Sequence, residues 1–486
     1  MYLMGVDIGS SSEKLAVFDY DGNAVAIAKY EYPIRTEHEG YAEQDPDDYY
    51  RAFLHNLERI DASVLSQVTA VCICGQTPTD IFVDEQGKPL CPAIMWRDTR
   101  AKAQFERQKT RYSFAELEKM SGCPIPKSEN WTTLRMAWLK DEAPQLAQKV
   151  YKVLQPKDYL IYKLSQSFVT DLWSARCFAN VQTGKINAEL LDFFGYGTDV
   201  APQIYAPTAI CASVYDEQAE KRGLRRGLPI VCGCGDGFAA MLSSGLFAAP
   251  SIAFNSTGTS EMAGCCTAEE RSRDGLYTFP RALTGERAVL FGPTQSGGSS
   301  LIWFAENVLH ISFEEMIEKA SRSTAGSNGL VFLPYICGER APIWDANAKG
   351  CFFGIKQSHT DCDFARSVLE GVAFSIRSLL EASGERVDVL RLLGGGSKLP
   401  LWCQIRADVL QAAVETVDCA EACAQGAAII AGVGVGAYSS YHDAALKTCK
   451  VSKRYTPNAG NAAIYERNYK VYKSLYTATK DLMKEL

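Results

Sequence analysis

The chain has no GxxxxGK[ST] segment, no CxxC pair, and only five histidines: His38, His55, His310, His359 and His442. Each shortage removes a class of chemistry. Without the first, phosphate is not gripped by a P-loop. Without the second, and with no histidine beside another ligand type at metal spacing, the sequence carries no zinc signature. Long apolar runs are missing too. The longest, around 427–437 and 241–249, are too short and too glycine-rich to span a bilayer. Basic charge is not in excess: 50 Lys and Arg stand against 57 Asp and Glu, a net charge of −7. That balance argues against nucleic acid as the main partner. No basic stretch precedes an apolar one near Met1, so no signal peptide is expected and the expected location is the cytoplasm. Disulfides are rare there, so the 17 cysteines read as reduced thiols. Cys72 with Cys74, and Cys232 with Cys234, are each spaced by one residue inside apolar runs, which in a strand puts each pair on one face.

What remains is ordinary globular material in quantity. A hydrophobic content of 47% and a charged content of 22% over 486 residues allow two or three large domains. The most informative stretch is Met4-Gly5-Val6-Asp7-Ile8-Gly9-Ser10-Ser11-Ser12-Glu13-Lys14-Leu15-Ala16-Val17-Phe18-Asp19. It reads as strand, tight turn and strand, with Asp7 near the end of the first strand. Gly9 lets backbone N–H groups face an anion, and Ser10, Ser11 and Ser12 add hydroxyl donors. Asp7 repels phosphate but can hold Mg²⁺ through water, and the metal then touches the phosphates. A plain surface hairpin uses the same residue types, so both readings stay open at this point.

Asp19-Tyr20-Asp21-Gly22 is a turn, and 24–30 returns as a strand, so the chain opens as an antiparallel meander. The 46–60 segment has helical spacing, with Asp45 as N-cap and Tyr49, Phe53, Leu57 and Ile60 on one face. A fully apolar strand at 68–74 ends in Gly75-Gln76-Thr77-Pro78. Further strands are expected at 81–84 and 93–96, helices over most of 101–165, a polar and aromatic packing segment at 170–176, and a buried strand at 228–234. Such alternation implies an α/β lobe with a mixed sheet. The Gln76 amide could bond a sugar hydroxyl as donor and acceptor. Asp98, flanked by Arg97 and Arg100, could bind a hydroxyl or form an ion pair. Asp236 lies between two glycines, after a buried strand and before a helix at 238–244. There it could accept the proton of an attacking hydroxyl, or simply cap the helix.

The second half repeats the opening design. Ser251-Ile252-Ala253-Phe254-Asn255-Ser256-Thr257-Gly258-Thr259-Ser260-Glu261-Met262 is again strand, Gly/Thr/Ser turn and strand. Two such hairpins, one per lobe, could grip a nucleotide triphosphate from both sides. Gln295-Ser296-Gly297-Gly298-Ser299-Ser300 precedes a helix at 301–308, and Leu393-Gly394-Gly395-Gly396-Ser397-Lys398 precedes one at 401–410. Both place small residues at a helix N-terminus, where a phosphate or an adenine face can come close. From about Tyr438 the chain reads as closing helices, with Tyr465, Tyr469, Tyr472 and Tyr476 as a packing stripe.

Taken together, these motifs resemble the FGGY family of sugar kinases, within the actin-like (ribonuclease H-like) ATPase superfamily. The resemblance rests on Asp7-Ile8-Gly9-Ser10-Ser11-Ser12, Ser256-Thr257-Gly258-Thr259-Ser260, Gly394-Gly395-Gly396-Ser397 and Gly233-Cys234-Gly235-Asp236. Xylulokinase-like segments at 92–100, 332–342 and 345–350 add to it. It implies an α/β fold of two actin-like lobes, each with a mixed sheet of the five-stranded type, divided as 1–246 and 247–486 around an interlobe cleft. It also implies ATP-dependent phosphorylation of a sugar or polyol hydroxyl, of pentulose or ketose type, with Mg²⁺. Asp236 would be the general base, and Asp7 the metal-associated carboxylate. Gln76, Thr77, Asp98 and Asp236 would line the sugar pocket. Ser10, Ser11, Ser12, Lys14, Thr257, Gly258, Thr259, Gly298, Gly395 and Gly396 would contact ATP. The alternative within the same superfamily is a sugar-binding or nucleotide-switch protein without phosphotransfer. No nucleic-acid or membrane partner is expected, and a homodimer is left open.

Two departures stand out. Xylulokinases usually carry Gly-Gln-Met-His-Gly where this chain has Gly75-Gln76-Thr77-Pro78-Thr79, and asparagine where it has Gly237. Both remove polar side chains that recognise sugar hydroxyls, which points away from D-xylulose.

Overall fold

The computed structural model describes residues 1–125, 127–269 and 273–486. By contact the chain divides into two units. One comprises Met1–Gly245, Pro280–Glu286 and Ala420–Cys449; the other comprises Leu246–Phe279, Arg287–Cys419 and Lys450–Leu486. The single division expected at 246 therefore describes only the first crossing. The chain returns twice, and the 420–449 segment packs with the first unit.

In the first unit, six strands form a mixed sheet: β1 (Tyr2–Ile8), β2 (Ser12–Phe18), β3 (Ala24–Glu31), β4 (Val68–Gly75), β5 (Ile210–Ser213) and β6 (Pro229–Val231), in the order β5-β6-β4-β1-β2-β3. The opening meander is antiparallel, with Asp7 opposite Lys14 and Ile8 opposite Glu13. On its other edge β1 runs parallel to β4, and Asp7 pairs with Cys74. Strand β1 is apolar on both sides because both faces are covered. Its Met4, Val6 and Ile8 join Tyr49, Phe53 and Leu57 of the Pro46–Glu58 helix in one core. Asp45 caps that helix by accepting from the Asp47 N–H, as the spacing predicts.

Strand alternation turns Leu3, Gly5 and Asp7 to the opposite face. There the Ala422–Gly434 helix covers β1 so closely that a Cβ on Gly5 would lie 1.8 Å from the Ala424 carbonyl oxygen. The same helix meets the Asp236–Ser243 helix through Gly426, whose added Cβ would lie 1.8 Å from the Ala239 oxygen. Only a bare α-carbon permits either approach.

The second unit repeats the plan. Its strands are β7 (Ile252–Thr257), β8 (Glu261–Thr267), β9 (Tyr277–Phe279), β10 (Ala288–Pro293), β11 (Val389–Gly394), β12 (Ala413–Val417) and β13 (Val451–Tyr455), in the order β9-β10-β8-β7-β11-β12-β13. Thus β7-β8-β10 matches β1-β2-β3, and β11 and β12 match β4 and β6 in running parallel beside them. The shared five-strand pattern is the expected one; edge strands enlarge it to six and seven.

Local differences from the sequence reading are few. The helix expected at 301–308 starts at Gly298, ends at Trp303 and passes into a wider π turn over Phe304–Leu309. The tail after Tyr438 is not all helix: β13 lies between the Tyr441–Thr448 and Ala462–Met483 helices. Its Val-Ser-Lys-Arg-Tyr pattern suits an exposed edge, where charged side chains discourage further pairing. Tyr465, Tyr469 and Tyr472 are buried against Phe374, so the tyrosine stripe is packing. All 17 cysteines are free thiols. Among the described residues no helix is long and apolar enough to cross a membrane.

The Gly5 contact gives a direct test. Gly5→Ala drives a methyl into helix backbone, and overpacking of this kind costs about 1–3 kcal/mol. Thermal unfolding of the purified variant should show a lowered midpoint; an unchanged midpoint would mean the helix does not sit on β1 this closely.

Candidate active site

In the first unit, the ends of β1 and β4 and the start of the Asp236–Ser243 helix come together. The Gly75 backbone bridges that of Gly235 in parallel fashion, which sets Gln76 and Thr77 beside Asp236. Gly235 is the N-cap, and Asp236 is the first helical residue. Among the described residues the Asp236 side chain accepts only the N–H of its neighbour Gly237, at 2.7 Å, rather than capping a later turn. It is partly exposed, whereas Asp7 is buried. Burial pushes the Asp236 carboxyl up to about 6, against the pull of the Gly237 N–H and the Arg176 charge. Burial pushes Asp7 up to about 7; repulsion from Asp236 adds to this, and the Lys14 charge opposes it. Asp236 therefore crowds Asp7 electrostatically, as a neighbouring acid in one site does.

The turn after β1 is held by its carbonyls. The Gly9 oxygen accepts from the Tyr32 hydroxyl at 2.6 Å and from Gln76 Nε2 at 3.4 Å. The Ser10 oxygen accepts from Gln44 Nε2 at 2.8 Å, and the Ser11 oxygen from the Tyr32 N–H at 3.1 Å. Within the turn, the Gly9 N–H donates to the Ser12 oxygen at 3.0 Å. The three serines are not equivalent. Ser12 is buried, Ser11 is exposed, and Ser10 Oγ accepts from the Trp96 indole at 3.0 Å. Beneath the turn, Glu13 is fully buried; it accepts from Asn56 at 3.2 Å through Oε1, while Oε2 has no partner among the described residues. Burial holds its carboxyl well above the usual carboxylate range. Lys14 forms an ion pair with Glu421 at 2.8 Å, beside Asp7.

The residues expected to line a sugar pocket divide. Gln76 is buried, and its Nε2 is spent on Gln44 Oε1 at 2.8 Å and on Gly9, so it braces the turn; its Oε1 is buried without a partner among the described residues. Asp98 takes the ion-pair alternative. Its oxygens accept from the Arg100 guanidinium at 2.9 and 2.7 Å, the Arg100 N–H at 3.0 Å and the Ala42 N–H at 2.7 Å. With both oxygens engaged, it orders the loop and leaves no lone pair aimed elsewhere. Thr77 remains partly exposed beside Asp236 and receives a long contact from Arg176, at 3.4 Å. Arg176 and its stacking partners Trp131 and Trp173 were not singled out from the sequence, where 170–176 looked like packing material.

In the second unit, three motifs far apart in sequence meet. The Thr257 hydroxyl donates to the Leu393 oxygen at 2.6 Å and accepts from the Gly396 N–H at 2.8 Å. The Gly258 oxygen accepts from the Gly298 N–H at 2.9 Å, and the Thr259 oxygen from the N–H groups of Gly297 at 2.9 Å and Ser299 at 3.0 Å. Gly258, Thr259 and Gly395 remain exposed, and a side chain on Gly395 would meet nothing within 4 Å. Gly394 has φ +83° with the Thr257 carbonyl directly against it, so glycine is required there. Under this hairpin Glu261 is fully buried, as Glu13 is under the first, but it is ion-paired to Arg406 at 2.5 Å, with Asn255 bonded to both.

Comparison with known proteins gives a consistent picture. A model described as the FGGY family of carbohydrate kinases, N-terminal domain, matches residues 2–243, and its C-terminal counterpart matches 253–435. A xylulose kinase of Staphylococcus epidermidis is 30% identical over 499 aligned positions, covering 100% of this chain and 98% of that protein. Among solved structures, a gluconate kinase from Lactobacillus acidophilus superposes with a TM-score of 0.89 at 25% identity, covering 98% of each chain. A ligand-bound xylulose kinase from the same organism has a TM-score of 0.89 at 25% identity, covering 99% of this chain and 98% of that one.

Two predictions follow from the buried charges. Unfolded Asp7 ionises near 3.8, whereas the folded group keeps its proton to about 7. The native state is therefore progressively penalised as pH rises between those values. In metal-free buffer, Asp7→Asn should be more stable than the parent at pH 8, by about 2 °C or more in thermal midpoint. The gap should shrink at pH 5 and close below pH 4. Arg406→Met strands the Glu261 charge, and denaturant titration should show a loss of about 3–5 kcal/mol.

Proposed function

The chain belongs to the FGGY family of carbohydrate kinases, and from that premise we propose that Asp236 is the general base, and Asp7 the magnesium-associated carboxylate, in ATP-dependent phosphorylation of a sugar or polyol hydroxyl. The observation that carries this is the pairing of two carboxylates, Asp7 near the end of β1 and Asp236 at the start of a helix, the second partly exposed and held near 6. A base of that strength is ionised at neutral pH yet still takes a proton readily.

The donor set suits magnesium. Among the described residues no group of three or more His, Cys, Asp or Glu side chains could enclose a metal ion. Magnesium does not need such a cage, because it keeps several waters and takes its remaining oxygens from one or two carboxylates and the phosphates. Asp7 would hold it, through water, and a bound cation would neutralise charge on the phosphates and relieve the repulsion between the two aspartates. ATP supplies the phosphoryl group.

The chain's own residues then have distinct tasks. Asp236 accepts the proton of the acceptor hydroxyl as its oxygen bonds to phosphorus. Ser10, Ser11 and Ser12 offer the first hairpin to phosphate, and the Lys14–Glu421 pair keeps a cation beside Asp7. Gly258 and Thr259 form the exposed tip of the second hairpin. Thr257 locks that hairpin to the Gly394–Gly396 loop, while Gly298, Gly395 and Gly396 leave room for the nucleotide. Gln76 and Asp98 act by holding the first hairpin and its neighbouring loop in place. Phosphoryl transfer depends on such positioning more than on covalent chemistry.

Replacing the base tests the assignment. Asp236→Asn should keep its affinity for ATP and lose about 10²–10⁴-fold in turnover. The parent enzyme's kcat/KM should fall on the acid side with a midpoint near 6, because protonated Asp236 cannot accept the hydroxyl proton. Full turnover in the variant would refute the role.

A further inference from the structure

Five basic side chains are buried among the described residues: Arg135, Lys157, Arg176, Arg366 and Arg406. Four of them hold a carboxylate, Arg135 with Asp80 at 2.8 Å, Lys157 with Asp158 at 2.6 Å, Arg366 with Glu370 at 2.9 Å and Arg406 with Glu261 at 2.5 Å. Arg176, only 8% exposed, is the exception. It donates through Nη1 to the Trp173 carbonyl at 2.8 Å and weakly to Thr77 Oγ1 at 3.4 Å, and it has no ion-pair partner among the described residues. The rings of Trp131 and Trp173 lie 5.3 and 4.7 Å from the guanidinium carbon. They shield the faces of the cation but do not satisfy the N–H groups at its edge. Burying a guanidinium in this state is costly, and basic groups are rarely buried without an anion.

Arg176 also stands where an acceptor would bind. Thr77 and Trp173, its two hydrogen-bond partners, are the nearest side chains to Gly235, at 2.8 and 3.6 Å from a Cβ placed there, and Asp236 is the next residue. We propose that Arg176 receives the carboxylate of the acceptor, so that the substrate class is a sugar acid of the aldonate type rather than a neutral ketose. The inference rests on the reading above that Asp236 marks the acceptor site.

Charge selects a carboxylate over a phosphate. One guanidinium balances a single negative charge, and Asp236 and Asp7 already contribute two more, so a dianion would be repelled. A planar carboxylate also fits the guanidinium fork, whose Nε and Nη2 donors are uncommitted among the described residues. The Arg176 charge is felt at Asp236, where it draws the carboxyl downward, so the two groups share one electrostatic environment. With the acid anchored at Arg176, the hydroxyl oxygen loses its proton to Asp236 and bonds to the terminal phosphorus of ATP as the bond to ADP breaks. The products are a phosphorylated sugar acid, ADP and a proton, which Asp236 returns to solvent.

The test compares matched pairs that differ only in whether a carboxylate or a hydroxymethyl ends the chain: glycerate with glycerol, threonate with threitol, arabinonate with arabinitol, and gluconate with glucitol, together with D-xylulose. ADP release and calorimetric binding are both read. At least one acid should exceed its alcohol, and D-xylulose, by about 100-fold in kcat/KM, the discrimination a lost charged hydrogen bond gives. Arg176→Gln should collapse that ratio, mainly through KM for the acid, and Arg176→Lys should restore part of it. Phosphorylation of neutral acceptors as well as of any acid would overturn the proposal and leave the kinase reading standing. So would an unchanged ratio in Arg176→Gln, or failure of every acid to bind. Selective binding of an acid without phosphoryl transfer would uphold the acid site and refute the kinase chemistry instead. Should the glutamine variant fail to fold, the matched pairs on the parent protein decide alone.

Discussion

Two carboxylates brought close by backbone pairing, with little water to screen them, are the constraint on which the first unit depends. Asp7 reaches this position because β1 is sandwiched between β2 and β4. Asp236 reaches it because Gly235 bridges Gly75. Neither side chain chose the other, since the sheet imposes the meeting. The like-charge repulsion that results is unfavourable to the bare fold, as is common where a site is built for a charged ligand. Nearby groups limit the penalty: Lys14 opposes the repulsion at Asp7, and Arg176 opposes the push of burial at Asp236.

The two hairpins solve one mechanical problem with different chemistry. Each places a buried glutamate at the start of its return strand, Glu13 as the second residue of β2 and Glu261 as the first of β8. In the second unit Arg406 and Asn255 lock that glutamate into a closed polar network. In the first, Asn56 alone reaches it, and the turn is secured instead by uncharged groups, Tyr32, Gln44, Gln76 and Tyr49. A buried arginine under the first hairpin would compete for Asp7. With no arginine there, the field at that strand end is set by Asp7, Asp236, Lys14 and Glu421.

Most of the architecture was legible from sequence because it rests on local signals. Alternation and turn residues gave the opening meander, and the spacing of Tyr49, Phe53 and Leu57 gave the first long helix. Repetition of the Gly/Ser/Thr turn revealed two similar units. The site was legible only in part. Asp7 and Asp236 announce themselves by closing apolar runs beside glycine, although Asp236 proves to be the first residue of a helix and not a strand end. The role of Gln76 depends on Gln44, 32 residues away, which no local pattern links to it; the Asp98–Arg100 pair was readable locally, but its bond to the Ala42 N–H, 56 residues away, was not. Arg176 was invisible for the opposite reason. Its distinction is the lack of an anion, and only the surroundings of a side chain can show that. The return of 420–449 to the first unit was likewise hidden, because Gly5 and Gly426 look like ordinary small residues until the close helix is seen.

That return has a consequence for how the protein is made. The helix that lids β1 is translated long after the strands it covers. While the ribosome works through the second unit, the face bearing Leu3, Gly5 and Asp7 has no roof, and the apolar surface awaiting Ala422–Gly434 stands open. The first unit therefore cannot mature as an independent nascent domain. Its final assembly is deferred until residues 420–449 have been made, so its carboxylate pair acquires its buried setting only after most of the second unit has been synthesised.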